Sequence, residues 1–179
     1  MDASAESPPG KATFSALYRA YAADVRRFAL FLSGDRSLAD DIVSETFIRM
    51  WNARARVDLT TVKAYLFAIA RNLYLQERRQ ARRMSPIEID VSDPQPDAQQ
   101  QMQSRLELRA VLDALQALPE VDRSAVLMRA DAGMPYEEIA RTLGISVAAV
   151  KVKVHRARLK LAAAREPRAS ANTNPRRTP

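Results

Sequence analysis

The chain has no cysteine and a single histidine, His155. Disulfides, cysteine-ligated zinc or iron–sulfur centres and a histidine-rich metal site are therefore excluded. No glycine-rich loop is present to cradle a phosphate, and Asp40 and Asp41, adjacent on a helix, diverge rather than pair for acid–base work. The sequence thus predicts neither metal nor cofactor and no enzymatic activity. No stretch stays apolar for the roughly 18 residues of a minimal membrane span. The N-terminal MDASAESPPGK is polar and lacks an apolar signal core. Both features predict a cytoplasmic protein without membrane insertion. Only four glycines in 179 residues, with long helical periodicity, predict an all-α fold.

Acidic residues are missing from one stretch in particular: none lies between Arg141 and Arg165, in a chain of net charge +7 and pI near 10.1. That balance favours an anionic partner, nucleic acid above a membrane surface. The segment MPYEEIARTLGISVAAVKVKVHRARLKL, Met134 to Leu161, reads as two short helices around a glycine turn. Pro135 suits a helix start, and Glu137 and Glu138 oppose the dipole in the first turn. Ile139, Ala140 and Leu143 share an apolar face, and small Ala140 allows close approach of the next helix. Gly144 can adopt the left-handed conformation that ends a helix, Ile145 packs the turn, and Ser146 is a good N-cap. Val147, Val150, Val154, Ala157 and Leu161 then repeat on one face, with Ser146, Ala149, Lys151, Val152, Lys153, His155 and Arg156 on or near the outer faces. An apolar back and an acid-free basic front suit a helix-turn-helix that enters a DNA major groove. The competing reading is a solvated hairpin in a helical bundle.

Five segments follow. Residues 1–12 read as a disordered N-terminus and 13–83 as a first helical domain. Residues 84–102 form a linker, in which Pro86, Pro94 and Pro96 disfavour helix and Glu88, Asp90, Asp93 and Asp97 supply acid without base. Residues 103–165 read as a second helical domain and 166–179 as a polar, Pro-punctuated tail. In the first domain Phe14, Leu17, Tyr18, Tyr21, Val25 and Phe28 follow helical spacing until Gly34 and Asp35 break it. Ser37 is the expected N-cap of the next helix, with Asp40 and Asp41 in its first turn. Its core face is Leu38, Ile42, Val43, Phe47 and Met50, and its opposite face shows Asp41, Ser44, Glu45, Ile48 and Arg49. After a polar loop, Asn52 to Thr61, a third helix packs Leu66, Ile69, Ala70 and Leu73. It exposes Lys63, Tyr65, Arg71, Asn72, Arg78, Arg79, Arg82 and Arg83. Aromatics and an amide among arginines can stack unpaired bases and hold a single strand's phosphates, although Tyr65 and Phe67 equally suit a partly buried role.

ADDIVSETFIRMW (Ala39 to Trp51), AYLFAIARNLYLQERR (Ala64 to Arg79) and YEEIARTLGISVAAVKVKVHRAR (Tyr136 to Arg158) together resemble the extracytoplasmic-function (ECF) group of the bacterial sigma-70 family. The resemblance covers nearly everything outside the tails and linker. It implies an RNA polymerase sigma factor with a region 2-like helical bundle and a region 4-like helix-turn-helix, which binds core polymerase through its largest-subunit clamp and its flap and directs promoter recognition and melting. It further implies an anti-sigma partner. By resemblance, Asp41, Ser44, Glu45 and Ile48 dock on the clamp, and Lys63, Tyr65, Arg71, Asn72 and Arg79 serve the minus-ten element. Ser146, Ala149, Lys151, Val152, Lys153, His155 and Arg156 serve the minus-thirty-five element, and the acidic linker lies where relatives thread the polymerase's RNA channel.

Some positions depart from the family pattern. Ser44 replaces a common glutamine, Tyr65 a usual tryptophan and Gln76 a frequent aspartate. AAVKVKV stands where many members resemble GTVKSRL, so Ala149 and Val152 lack hydroxyls, and Val152 offers a thymine methyl an apolar contact instead. A conventional repressor or activator with the same reader is the alternative. It would bind duplex DNA without polymerase and would not need the first domain's motifs.

Overall fold

The computed structural model describes residues 11–54, 61–83 and 109–165, all helices and short turns. The helices are α1 (Lys11–Ser33), α2 (Arg36–Ala53), α3 (Val62–Arg83), α4 (described over 109–116), α5 (Glu120–Ala130), α6 (Tyr136–Leu143) and α7 (Val147–Arg165). The expected linker, N-terminal segment to residue 10 and tail lie outside the described residues, as do positions 55–60.

In α1, Val25, Phe28, Ala29 and Leu32 are buried at helical spacing and form the stripe on which α2 and α3 pack. Phe28 meets Phe67 of α3 with ring centroids 4.8 Å apart, and both are fully buried. Helix α2 contributes Ala39, Ile42, Val43, Phe47 and Met50, and α3 contributes Val62, Leu66, Phe67, Ile69, Ala70, Leu73 and Tyr74.

Three boundaries differ from the sequence reading. Helix α1 already begins at Lys11. Gly34 takes φ 78° and closes α1 through Gly34 N–H to the Leu30 carbonyl at 2.7 Å. The next residue, Asp35, is thereby extended (φ −121°), and its carboxylate accepts from the Leu38 N–H at 3.0 Å. Asp35, not Ser37, is the N-cap, so α2 starts at Arg36 and Asp40 and Asp41 fall beyond its first turn. Asn52 and Ala53 extend α2 into the expected loop, and Arg54 lies over the Trp51 ring at 4.3 Å and donates to the Trp51 carbonyl at 3.0 Å.

Helix α5 is the hub of the second half. Every residue from Asp122 to Met128 is buried, because α5 packs on α6 and α7 and also on α1. The helix-turn-helix follows the expected local chemistry. Gly144 is left-handed (φ 67°), its N–H returns to the Ala140 and Arg141 carbonyls, and Ser146 Oγ accepts from the Ala149 N–H at 3.2 Å. Val150, Val154 and Ala157 then bury the back of α7. The two halves are not splayed: α1 meets α5, α3 meets α6, and their buried residues form one connected core.

A Cβ at residue 144 would find open space, so only the backbone resists substitution there. Gly144→Ala is expected to lower unfolding stability by about 1–2 kcal/mol, and Gly144→Asn, which tolerates positive φ, by less. Urea denaturation of both variants checks this, and equal losses would contradict it.

Candidate nucleic-acid and polymerase interfaces

The clamp-facing candidates occupy the outer side of α2. Asp41, Ser44 and Ile48 are exposed, Ile48 at 54%, while Glu45 is half-buried and accepts from Arg49 Nε at 2.7 Å. Ser44 spends its hydroxyl on the Asp40 carbonyl at 3.0 Å. Ile48 continues into an apolar cavity of about 570 Å³ lined by Phe14, Tyr18, Phe47 and Trp51. Asp40 stands to one side, paired with Arg26 at 2.6 Å; that bond holds its carboxyl below the usual carboxylate range.

The α3 candidates divide. Asn72 and Arg79 are exposed as expected, Arg79 bonding back to the Leu75 carbonyl at 3.1 Å. Tyr65 is half-buried against the core. Lys63 and Arg71 are not free, because the second half covers them. Arg71 donates Nε and Nη2 to the two carboxylate oxygens of Glu120 at 2.7 and 2.8 Å, with side chains only 14% and 13% exposed. Ser124 adds a third bond to Glu120 at 2.7 Å. Burial alone would raise the Glu120 pKa, but the bonds from Arg71 and Ser124 and the charges of Arg71 and Arg123 outweigh it and hold the carboxyl below its ordinary value. Lys63 Nζ donates to the Ala132 carbonyl at 2.5 Å and lies 3.5 Å from Asp24.

Side chains without any sequence-derived role complete this junction. Arg27 forks onto both oxygens of Asp131 at 2.7 and 2.8 Å, and that pairing raises its pKa. Gln116 donates to the Phe31 and Leu32 carbonyls at 3.1 and 3.3 Å, capping the end of α1 from the other half. Arg123, 3% exposed, bonds Gln116 and the Tyr74 hydroxyl, and desolvation lowers its pKa.

On α7 the outward stripe is Lys151, Val152, His155, Arg156 and Leu159, with Val152 55% and Leu159 58% exposed. Lys151 also lies 5.8 Å from the Tyr136 ring centroid. Ser146 is occupied as cap and Ala149 is half-buried. Lys153 departs from the expected outer position: it turns back to α5 and donates to Asp122 Oδ1 at 3.0 Å.

Residues 17–84 match the family described as Sigma-70 region 2, and residues 108–161 match Sigma-70, region 4. SigE of Mycolicibacterium smegmatis, an ECF RNA polymerase sigma factor, is 34% identical over 177 residues, covering 87% of this chain and 67% of SigE. SigM of Bacillus subtilis, of the same description, is 31% identical over 153 residues, covering 84% and 94%. The chain belongs to the ECF sigma factors of the sigma-70 family. Its fold is similar to that of the sigma factor RpoE of Bartonella quintana, solved with the anti-sigma factor NepR (TM-score 0.70, 27% identity, 84% of this chain and 95% of that one). Among the described residues of this sigma factor, no helix is long and apolar enough to cross a membrane.

The residues that the sequence reading missed in this sigma factor, Arg27, Gln116, Glu120, Asp122, Arg123 and Asp131, act between segments rather than within them. The available signal is the pair of acids opening α5, Glu120 and Asp122.

Because its pKa is lowered in the folded state, Glu120 contributes stability that is present above about 4.5, its ordinary value, and lost as pH falls through the folded value. Glu120→Gln is expected to cost about 1.5–3 kcal/mol at pH 7, the range for hydrogen bonds to charged groups. It should also flatten the loss of stability on acidification. Denaturation of both proteins between pH 7 and 3 tests this; parallel curves would contradict it.

Proposed function

We propose that this sigma factor divides its work among three surfaces. The outer face of α2, centred on Asp41, Ser44, Glu45 and Ile48, docks on the clamp of the polymerase's largest subunit. Lys63, Tyr65, Arg71, Asn72 and Arg79 on α3 serve the opened minus-ten strand. The outward stripe of α7, chiefly Lys151, Val152, His155 and Arg156, enters the major groove of the minus-thirty-five element, with the flap engaging the second half. The protein acts by binding rather than catalysis, in the cytoplasm, with residues 13–83 and 103–165 as its two functional domains. The relative solved with NepR supports an anti-sigma partner here as well.

One observation carries this reading. The α3 cations Lys63 and Arg71 already hold oxygen acceptors, the Ala132 carbonyl and the Glu120 carboxylate. A guanidinium held in a two-point fork on a carboxylate has the geometry for a phosphate too. The second half therefore occupies the sites that a single strand would use, and the halves must separate before melting. Polymerase, by holding them at two separate places, supplies that separation.

Reconstituted transcription with bacterial core polymerase and genomic promoter fragments, with transcript starts sequenced, tests the function. Discrete starts sharing two spaced upstream motifs are expected. Tight duplex binding by the protein alone without any start would favour a repressor or activator. On a mapped promoter, Lys151→Ala is expected to weaken duplex binding roughly tenfold, on the scale of about 1–3 kcal/mol per good contact. Asn72→Ala should spare duplex binding and impair opening, read by permanganate footprinting. Equal effects in both assays would contradict the division.

A further inference from the structure

We infer that Asp122 is a specificity-determining residue of the DNA reader, acting from behind α7 by withholding Lys153 from the phosphate backbone. The inference rests on the reading of α7 as the duplex-binding helix. Asp122 sits in the first turn of α5 with its side chain 2% exposed, beneath two cations one turn apart on α7. The two contacts are unequal. Lys153 Nζ donates a hydrogen bond to Oδ1 at 3.0 Å, and its side chain is only 27% exposed. Arg156 Nη2 lies 3.3 Å from Oδ2, but Oδ2 accepts no hydrogen bond, and Arg156 stays 53% exposed. Lys153 is therefore a strut, tied to the protein by charge and by a directed bond. Arg156 is tethered by charge alone and remains able to reach outward.

This has a consequence for recognition. Affinity for any DNA sequence rises with each phosphate neutralised, because counterions are released. A reader whose cations all reached phosphate would bind everything well and discriminate poorly. Asp122 removes one cation from that sum and leaves the other, Arg156, able to reach outward. What remains on the outward stripe is Lys151, apolar Val152, His155 and Arg156, a set that meets base edges. The bond lies beside the buried Val150, Val154 and Ala157, which set the roll of α7 on α5.

The test is the salt dependence of binding by the full chain, measured on its mapped promoter duplex and on a scrambled duplex of equal length. Lys153→Gln is expected to leave the slope of log K against log salt at the wild-type value, because Lys153 touches no phosphate. Asp122→Asn is expected to steepen the scrambled-duplex slope by about 0.9 and to tighten that binding about five- to tenfold at 0.1 M salt, reducing the preference for the promoter. Asp122→Asn with Lys153→Gln should restore the wild-type slope, which identifies the released cation. Flattening by about 0.9 in Lys153→Gln alone would overturn the inference without requiring Asp122→Asn to fold. Lys151→Ala serves as control. If it flattens the slope while Lys153→Gln does so equally, only the role of Asp122 falls; if it leaves the slope unchanged, α7 is not on DNA and the reading beneath falls too.

Discussion

Two carboxylates in the first turn of α5 organise the molecule. Glu120 reaches backwards to Arg71 of α3, and Asp122 reaches forwards to Lys153 and Arg156 of α7. Helical geometry makes this possible, since side chains two residues apart project about 200° from each other. Both acids also stabilise α5 itself, because Pro119 offers no side-chain cap and negative charge at the N-terminus opposes the helix dipole. One helix turn thus holds α7 on one side and covers Arg71 of α3 on the other. Burying such acids unpaired would be costly, and each is buried against a cation of another helix.

The polarity of the contact between halves bears on whether it can open. Arg27–Asp131, Arg71–Glu120, Lys63 on the Ala132 carbonyl and Gln116 on the end of α1 are directed, water-replaceable interactions. Inside each half aromatic and aliphatic packing supplies most of the core, such as Phe28 on Phe67 and the Val150, Val154 and Ala157 stripe, alongside ion pairs such as Asp122 with Lys153. Interfaces between domains that move are characteristically polar, whereas cores that must persist are not. In this chain directed polar contacts join α1 and α3 to the helices of the second half.

Much of this was legible in the sequence where the governing physics is local. Pro135, Gly144 and Ser146 mark the helix-turn-helix because each residue type answers a backbone requirement within four positions of itself. The core stripes of α1, α2 and α3 were legible for the same reason. Where two local solutions compete, the sequence alone misleads: Ser37 and Asp35 are both good caps, and the left-handed Gly34 decides for Asp35 by placing it in extended conformation. The exposure of Lys63, Arg71 and Lys153 was misjudged because a solvated basic face and a basic face covered by acids read alike. Arg71 meets Glu120 across 49 residues and Arg27 meets Asp131 across 104, distances at which no periodicity carries information.

The energetics of switching follow from what is exchanged. Separating the halves in water returns both Arg71 and Glu120 to solvent, and the hydration they regain offsets much of the lost pairing. In the open form proposed above, a strand phosphate would take the place of the carboxylate on the cation, one charge-assisted fork for another. The net change in that contact is then small, and the balance between closed and open passes to partners that bind one form only. Core polymerase and promoter shift it one way by mass action, and a protein gripping both halves at once shifts it the other.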